Sequence, residues 1–285
     1  MQSSHLIRLA GLVFVAMSFI VLGDTAGKLL TSAGVEPVFV AWTRFAIAAL
    51  VMLPLCGVQR SEWVIFTDKR VIFRGFLIAM GISCILTALQ SEPMANVFGA
   101  FFIGPIVSFV LAIVILGERA TPARAALLLL GFLGVLLVVK PGFGFSTGLG
   151  WALAAGLCYG AFLATTRVVA PHYRPRLLLL SHLVIGALVL LPFATTIRWP
   201  ALDMATVLLI LGSSAGSTIG NYLVVIANRQ ADAALVAPLI YTQLISATAM
   251  GYLVFGDWPD IWVILGLLII LVSGLGTLLL VRKAQ

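Results

Sequence analysis

The chain contains few charged residues, histidines and cysteines, and each of these shortages excludes a class of protein. Only 9% of its 285 residues are charged, 62% are apolar, and the mean hydropathy is +1.17. Soluble domains carry about 25% charged and about 45–50% apolar residues, so a soluble fold is excluded. Cys56, Cys84 and Cys158 lie in or at the edge of apolar stretches without C-x-x-C or Cys/His spacing, which indicates packing residues rather than metal or redox ligands.

The groups that an intramembrane enzyme or a channel needs are also missing from the sequence. Its three histidines, His5, His172 and His182, are scattered, and no apolar stretch holds two central acidic residues. There is no H-E-x-x-H pair, and no ring-forming charges of a pore are recognisable. A sugar-phosphate carrier would need buried basic residues, and only Lys28 and Arg44 approach that role. A secondary transporter without cofactor or metal is the predicted class, and a channel or structural membrane protein is the alternative.

Long apolar stretches fill almost the whole chain and are separated by proline and glycine. A helix needs about 20 mainly apolar residues to cross the hydrocarbon layer, so ten crossings leave no room for a soluble catalytic or nucleic-acid-binding domain. The first stretch is longer than the apolar core of a signal peptide and is read as a retained helix. The predicted spans are Leu9–Leu30, Pro37–Gly57, Val71–Gln90, Met94–Leu116, Arg124–Val139, Leu149–Val169, Arg176–Thr195, Met204–Ala227, Ala233–Phe255 and Ile261–Val281.

The distribution of Lys and Arg predicts the orientation of these spans. If the N-terminus is cytoplasmic, all but Lys28, Arg44, Lys140 and Arg198 of the 17 Lys and Arg residues fall on the cytoplasmic side. Such an excess marks the cytoplasmic face of a membrane protein. The sequence therefore predicts an all-α integral membrane protein of the inner membrane with ten transmembrane helices and with both termini in the cytoplasm.

The chain contains an internal repeat. Gly11, Lys28 and Gly81 have the counterparts Gly150, Arg167 and Gly220, each 139 positions later, and Gly117-Glu118 has the counterpart Gly256-Asp257 at the same offset. Each copy holds five spans, and an odd number of crossings inverts the second copy. Residues 1–140 and 141–285 are therefore predicted to be two inverted five-helix repeats around a midplane cavity, as in secondary transporters.

Polar and aromatic side chains inside the spans are candidates for the lining of that cavity, because polar groups in lipid are costly. An apolar and aromatic lining with a few hydrogen-bonding groups is typical of small-molecule sites. The alternative is that Ser and Thr bond their own helix and that amides bond between helices. The candidates are Ser83, Thr87, Gln90, Asn96, Trp151, Tyr159, Ser217, Asn221, Tyr241, Gln243 and Ser246.

Charged residues and prolines in the spans suggest two further roles. Asp24 and Lys28 are four residues apart on one helix face, which predicts that Lys28 extends to the outer interface with Asp24 as its counter-ion. The alternative is that Asp24 or His182 titrates during transport and couples it to protons. Pro105 and Pro238 should kink the fourth and ninth spans, as hinges for gating or as static bends.

Glycines at four-residue spacing predict close contacts between helices. Such ridges occur in the first span at Gly23 and Gly27, in the sixth at Gly156 and Gly160, and in the eighth at Gly212, Gly216 and Gly220.

The organisation and two short motifs resemble a known family. Leu116-Gly117-Glu118-Arg119 closes the fourth span, and Phe255-Gly256-Asp257 closes the ninth, where Asp replaces the usual Glu. With the five-plus-five repeat, this resembles the EamA-type branch of the drug/metabolite transporter superfamily, and most of all its exporters of aromatic amino acids (YddG type). The resemblance implies a cavity formed by the first, third, fourth, sixth, eighth and ninth helices.

The function that the sequence predicts is export of aromatic or hydrophobic amino acids across the bacterial inner membrane by alternating access. Export of other small metabolites or of organic cations is the alternative within the same class. The expected partners are a small-molecule substrate and the lipid bilayer, without nucleic acid, and a monomer is compatible with the pattern.

Overall fold

A computed structural model describes residues 3–117, 122–139, 146–230, 236 and 239–284, and all secondary structure in these ranges is helical. Three short 3₁₀ segments, Arg60–Thr67, Ala170–His172 and Ile240–Thr242, join or extend the α-helices. The α-helices are α1 Ser3–Ser32, α2 Pro37–Cys56, α3 Lys69–Ser91, α4 Met94–Phe101, α5 Ile103–Leu116, α6 Pro122–Val139, α7 Thr147–Val169, α8 Pro175–Thr196, α9 Met204–Gln230, α10 Gln243–Phe255 and α11 Ile261–Ala284.

Seven helical stretches of the described chain are long and apolar enough to cross a membrane. One of them, Met94–Ile115, combines α4 and α5. Three shorter apolar helical stretches, Ala125–Val139, Ile240–Phe255 and Ile261–Gly276, coincide with the fifth, ninth and tenth predicted spans. The structure therefore confirms an all-helical, multi-span membrane protein, while the count of ten crossings and the side of the termini stay predictions.

The glycines of the two Gly-acid motifs end helices in the same way. Gly117 follows α5 with φ of 67°, and Gly256 follows α10 with φ of 70°. Their N–H groups donate to the carbonyls of Ile113 and Tyr252. A left-handed residue after the last turn of a helix is far less costly for glycine than for a residue with a Cβ. This conformation explains the glycine in both motifs.

The fourth span is broken about halfway along. Phe102 separates α4 from α5, and Pro105 lies in the first turn of α5. Because Pro105 has no N–H to donate and its ring displaces the carbonyl four residues earlier, the break lies where the sequence predicted a kink. In the repeat-related span the 3₁₀ segment Ile240–Thr242 precedes α10. Pro238, the second predicted hinge, lies outside the described residues.

Glycine ridges hold the long helices together in pairs. A Cβ on Gly216 of α9 would lie 2.7 Å from the backbone N of Gly23 in α1, and a Cβ on Gly220 would lie 2.6 Å from the carbonyl of Ala16. Gly160 of α7 similarly faces Gly104 of α5. Glycine thus allows backbone-to-backbone approach at these crossings.

The packing of helix pairs follows the predicted repeat. α1 packs on α9 and α3 packs on α7, so the first and eighth spans form one pair and the sixth and third spans form its counterpart. α2 packs on α8, and α6 packs on α11, each being the repeat partner of the other.

The two ends of the bundle differ in their polar contacts. At one end, called here the Arg174 end, Arg174 makes a bidentate pair with Glu62 at 2.6 and 2.7 Å and tethers the Arg60–Thr67 segment to α8. The hydrogen bond from Arg174 lowers the pKa of Glu62 below its usual range. At the opposite end, called the Lys28 end, Lys28 joins three chain segments, as described below.

Candidate functional site

An aromatic layer lies where the fourth span is broken, and we define it as Phe101, Phe102, Tyr159, Phe162 and Tyr241. The ring of Tyr159 lies 4.9 Å from that of Phe101 and 6.0 Å from that of Phe162, measured between centroids. Phe102 stacks on Tyr241 at 4.7 Å with 28° between the ring planes, and Phe101 is 6.0 Å from Phe102. The rings therefore form a continuous layer that runs from α7 through the break to the 3₁₀ segment before α10.

The stacked pair in this layer joins equivalent positions of the two repeats. Tyr241 follows Phe102 by 139 positions, the offset of the repeat. Tyr159 and Tyr241 were predicted cavity residues, and the structure brings them into one layer. Phe101, Phe102 and Phe162 were missed, although the repeat offset applied to Tyr241 would have indicated Phe102.

Several predicted polar residues bond to their own helices. The hydroxyl of Ser83 donates to Ala79 O at 2.9 Å, and that of Thr87 donates to Ser83 O at 2.8 Å. The amide of Asn221 donates to the carbonyl of Ser217 at 2.8 Å. These contacts follow the alternative in which hydroxyls and amides satisfy the helix backbone.

Other predicted polar residues connect helices. Gln90 Nε2 donates to the carbonyl of Thr31 at 3.3 Å and so joins α3 to α1. The hydroxyls of Ser246 and Ser18 are 2.9 Å apart and join α10 to α1. Gln243 is buried at the first position of α10, next to the aromatic layer.

Trp151 and Asn96 stand outside the aromatic layer. Trp151 is 44% exposed and precedes Tyr159 by eight residues, about 12 Å along α7. A partly exposed Trp near a helix end is typical of the membrane interface. Asn96 is half-buried in the first turn of α4.

Asp24 pairs with Arg44, and the predicted pair of Asp24 with Lys28 is wrong. Arg44 Nη2 donates to Asp24 Oδ1 at 2.7 Å, and Arg44 Nε donates to Ser213 Oγ at 2.8 Å. Ser213 in turn donates to the carbonyl of Gly23 at 2.9 Å. Arg44 and Asp24 are both 4% exposed, so the pair is satisfied inside the bundle where α1, α2 and α9 meet. Helical spacing favoured Lys28 as the partner of Asp24, but the guanidinium of Arg44, on α2, binds this carboxylate instead.

Lys28 instead joins three chain segments at its end of the bundle. Lys28 Nζ donates to the carbonyl of Glu92 at 2.8 Å, pairs with Asp257 Oδ2 at 3.1 Å, and lies 4.5 Å from the ring centroid of Phe255. The side chain of Glu92 accepts a short hydrogen bond from Ser146, the N-cap of α7. We call Lys28, Glu92, Ser146 and Asp257 the Lys28 cluster. It ties α1 to the α3–α4 turn, to the start of α7 and to the end of α10.

A third buried cation, Arg74, lies on α3 beside the aromatic layer. Its Nε donates to Thr166 Oγ1 at 2.7 Å, its Nη1 donates to the carbonyl of Leu178 at 3.0 Å, and its Cζ lies 4.4 Å from the centroid of Phe162. Phe162 also contacts His182 edge to face at 5.8 Å. Sequence reasoning assigned Arg74 to the cytoplasmic interface, but the side chain is only 4% exposed.

Comparisons with known proteins identify the relatives of this chain. A profile of the EamA-like transporter family matches residues 8–140 and again residues 146–280. A riboflavin transporter of Rhizobium johnstonii is 28% identical over 72% of this chain and 68% of its own length. An S-adenosylmethionine uptake transporter of Rickettsia bellii is 26% identical over 86% and 85% of the two chains, and the pseudopaline exporter CntI of Pseudomonas aeruginosa is 26% identical over 71% and 72%.

A solved crystal structure shares the fold. It superposes with a TM-score of 0.65 at 17% identity and covers 96% of this chain and 99% of its own.

Proposed function

Because the chain belongs to the EamA-like transporter family, within the drug/metabolite transporters, we propose that this multi-pass inner-membrane protein exports small aromatic metabolites, aromatic amino acids above all. The aromatic layer is the observation that carries the proposal. Its rings come from both halves of the chain, and its stacked pair, Phe102 and Tyr241, joins repeat-related positions 4.7 Å apart. A planar ring from a substrate finds stacking surfaces there, together with the amide of Gln243.

Alternating access supplies the mechanism, and the two ends of the bundle support it by their unequal packing. At the Lys28 end, α1 packs on α3: a Cβ on Gly27 would lie 2.7 Å from Leu86, and Gln90 bonds to Thr31. The repeat-related pair is α7 and α9. In the described ranges no comparable packing joins these two helices. The repeat symmetry is therefore broken in favour of contact at the Lys28 end.

The two halves of the broken fourth span, α4 and α5, are also packed to different extents. α4 is packed by α3, α6, α7, α10 and α11, and its residues Met94, Val97, Phe98 and Ala100 are 0% exposed. α5 packs mainly on α7, and Val110, Val114 and Ile115 are exposed. On the predicted orientation α4 lies in the outer half, and its tighter packing supports a state that is closed towards the outside and is loaded from the cytoplasm.

Counterflow in proteoliposomes tests the proposal. Vesicles are preloaded in turn with Phe, Trp, Tyr, Ala, Glu, a hexose phosphate and an organic dication, and uptake of labelled Phe is followed. We expect Phe, Trp and Tyr to drive uptake and the other compounds to leave it at the level of empty vesicles. Uptake driven equally by Ala and Glu would contradict a site built on ring stacking.

Variants of the aromatic layer connect counterflow to this site. Tyr159→Leu and Tyr241→Leu each remove one stacking partner and should raise the half-saturating Trp concentration about 2- to 10-fold, because an aromatic pair contributes about 0.5–1.5 kcal/mol. Trp258→Leu removes a ring that is 69% exposed and should leave transport unchanged. Equal loss in all three variants would indicate a general folding defect rather than a binding site.

The named substrates of two relatives favour a second candidate function. Riboflavin and S-adenosylmethionine both carry fused heteroaromatic rings, and the proteins named for them match most of this chain. The same vesicles preloaded with riboflavin or S-adenosylmethionine, with the labelled compound outside, distinguish the candidates. Counterflow with one of these compounds and none with Phe or Trp would assign the aromatic layer to a heteroaromatic metabolite.

A further inference from the structure

Arg74 and His182 bring unused hydrogen-bonding groups to the edge of the aromatic layer. Arg74 is 4% exposed and His182 is 8% exposed. Within the described residues, the hydrogen bonds of Arg74 use Nε and Nη1 and reach only a hydroxyl and a carbonyl. In the described part of the chain Nδ1 of His182 makes no hydrogen bond of ordinary geometry, and a weaker interaction joins the imidazole to the backbone of Leu178. A buried guanidinium is costly unless it faces a counter-charge, and the described residues provide none at this position.

The residues at the two equivalent repeat positions bond to each other, and one of them binds a carboxylate. His182 follows Arg44 by 138 positions, and Ser213 follows Arg74 by 139. Arg44, the first-half counterpart of His182, binds the carboxylate of Asp24, and Ser213, the second-half counterpart of Arg74, accepts a hydrogen bond from Arg44 Nε. The second-half counterpart of Asp24, at the offset of 139 that relates Lys28 to Arg167, is Leu163, which has no carboxylate. The site around Arg44 thus contains its own anion, Asp24. At the equivalent site, Arg74 and His182 contact the ring of Phe162 instead.

We propose that Arg74 and His182 bind the carboxylate of an aromatic substrate whose ring lies against Phe162 and Tyr159. The inference rests on the proposed transport of aromatic compounds and adds the chemical class, namely aromatic carboxylates rather than aromatic amines. Both side chains contact Phe162, with Arg74 Cζ at 4.4 Å and the His182 ring at 5.8 Å from its centroid. The carbonyl of Leu178, which accepts from Arg74, lies one helical turn before His182 on the same face of α8.

The ion pairs in the described chain favour a substrate with an anionic group over one with a cationic group. Asp24 is neutralised by Arg44, and Asp257 is neutralised by Lys28. Neither carboxylate is therefore left to receive an aromatic amine. A planar guanidinium with free N–H groups is the side chain best suited to a carboxylate.

Three indole compounds separate the carboxylate from the ring and the amine. Trp carries both groups, indole-3-propionate carries only the carboxylate, and tryptamine carries only the amine. Binding is measured with the purified full-length protein in detergent by isothermal titration. We expect the wild-type protein to bind Trp and indole-3-propionate at least about 10-fold more tightly than tryptamine.

Substitutions then assign the preference to the two residues. Arg74→Gln should weaken binding of the two carboxylates about 10- to 100-fold and change tryptamine by less than about 2-fold, and Arg74→Lys should restore part of the loss. His182→Leu should weaken only the carboxylates, about 3- to 10-fold, and decides the question if Arg74→Gln does not fold. Arg176→Gln is the matched control, because Arg176 bonds to Tyr222 outside the aromatic layer, and it should bind all three compounds as the wild type does.

The outcomes distinguish this site from the transport proposal. If wild-type and variant proteins bind tryptamine and Trp equally well, aromatic transport stands and the carboxylate site is overturned. Equal loss of all three compounds in Arg74→Gln and His182→Leu would mean that both residues serve only folding. Wild-type protein that binds none of the three compounds would overturn the aromatic substrate and the carboxylate site together.

Discussion

At the residue scale, the two buried ion pairs are formed by partners on different helices or loops. Asp24 is matched by Arg44 from α2, and Lys28 by Asp257 at the end of α10. Breaking a buried pair by removing one partner leaves an uncompensated charge, whereas replacing both partners by apolar residues can be nearly neutral. Arg44 therefore depends on Asp24 for its burial.

We expect Asp24→Asn to lower the free energy of unfolding by about 3–5 kcal/mol, because Arg44 then stays buried without a counter-charge. Chemical denaturation in detergent micelles, followed by tryptophan fluorescence, measures this loss. The double variant Asp24→Leu/Arg44→Met should recover most of it. If Asp24→Asn alone unfolds at the wild-type denaturant concentration, the pair does not stabilise the fold.

At the element scale, the helix crossings depend on particular glycines of each ridge rather than on the whole ridge. In α9, Gly216 and Gly220 face the backbone of α1. Gly212 was predicted in the same ridge, but a Cβ there would meet only Ala26, at the ordinary contact distance of 4.0 Å. Gly212 can therefore serve as a control position for Gly216 within the same ridge.

Gly216→Ala should destabilise the protein, because the added Cβ would lie 2.7 Å from Gly23 N and from the carbonyl of Phe19 and would force α1 and α9 apart. A loss of about 1–3 kcal/mol is typical of an inserted methyl group in a packed interior. Gly212→Ala should be neutral or slightly stabilising, since alanine favours the helix. Thermal unfolding of the two variants side by side tests this, and equal melting temperatures would show that the ridge tolerates a side chain.

At the scale of the whole molecule, the Lys28 cluster joins several helices at one end of the bundle. Lys28 reaches from α1 to the α3–α4 turn and to the end of α10, and Met94 behind it is 0% exposed. Under the proposed alternating access, with the Lys28 end on the outer side as predicted, these contacts must break when that end opens.

Lys28→Met should shift the population towards the outward-open state, because it removes a charge-assisted hydrogen bond and an ion pair. Labelling measures the shift in a cysteine-free background that carries Met94→Cys. A membrane-impermeant thiol reagent added from outside should label the Lys28→Met protein about 10-fold faster than its parent.

Lys69→Met serves as the control, since Lys69 is exposed at the opposite end of the bundle. Unchanged labelling in both variants would exclude a gating role for Lys28. Faster labelling in both would indicate general loosening.

The sequence by itself determined where helices lie, and it predicts that they form two repeats. Composition and the length of apolar stretches suffice for this, because the hydrocarbon layer admits only long apolar helices whose backbone groups are satisfied internally. It also located the break of the fourth span at Pro105, because the missing N–H of proline is a local property. Tyr159 and Tyr241 were among the candidates because the sequence places them inside predicted spans.

Only the tertiary structure decided which side chains meet. Spacing along one helix predicted an ion pair between Asp24 and Lys28. In the structure, Asp24 pairs with Arg44 from α2, and Lys28 pairs with Asp257. Arg74 looked like an interfacial charge and lies buried beside Phe162 instead. The physical reason is that the rotation and separation of helices are fixed by contacts between distant segments, such as Gly216 on Gly23, and these contacts leave no periodic signal in one sequence.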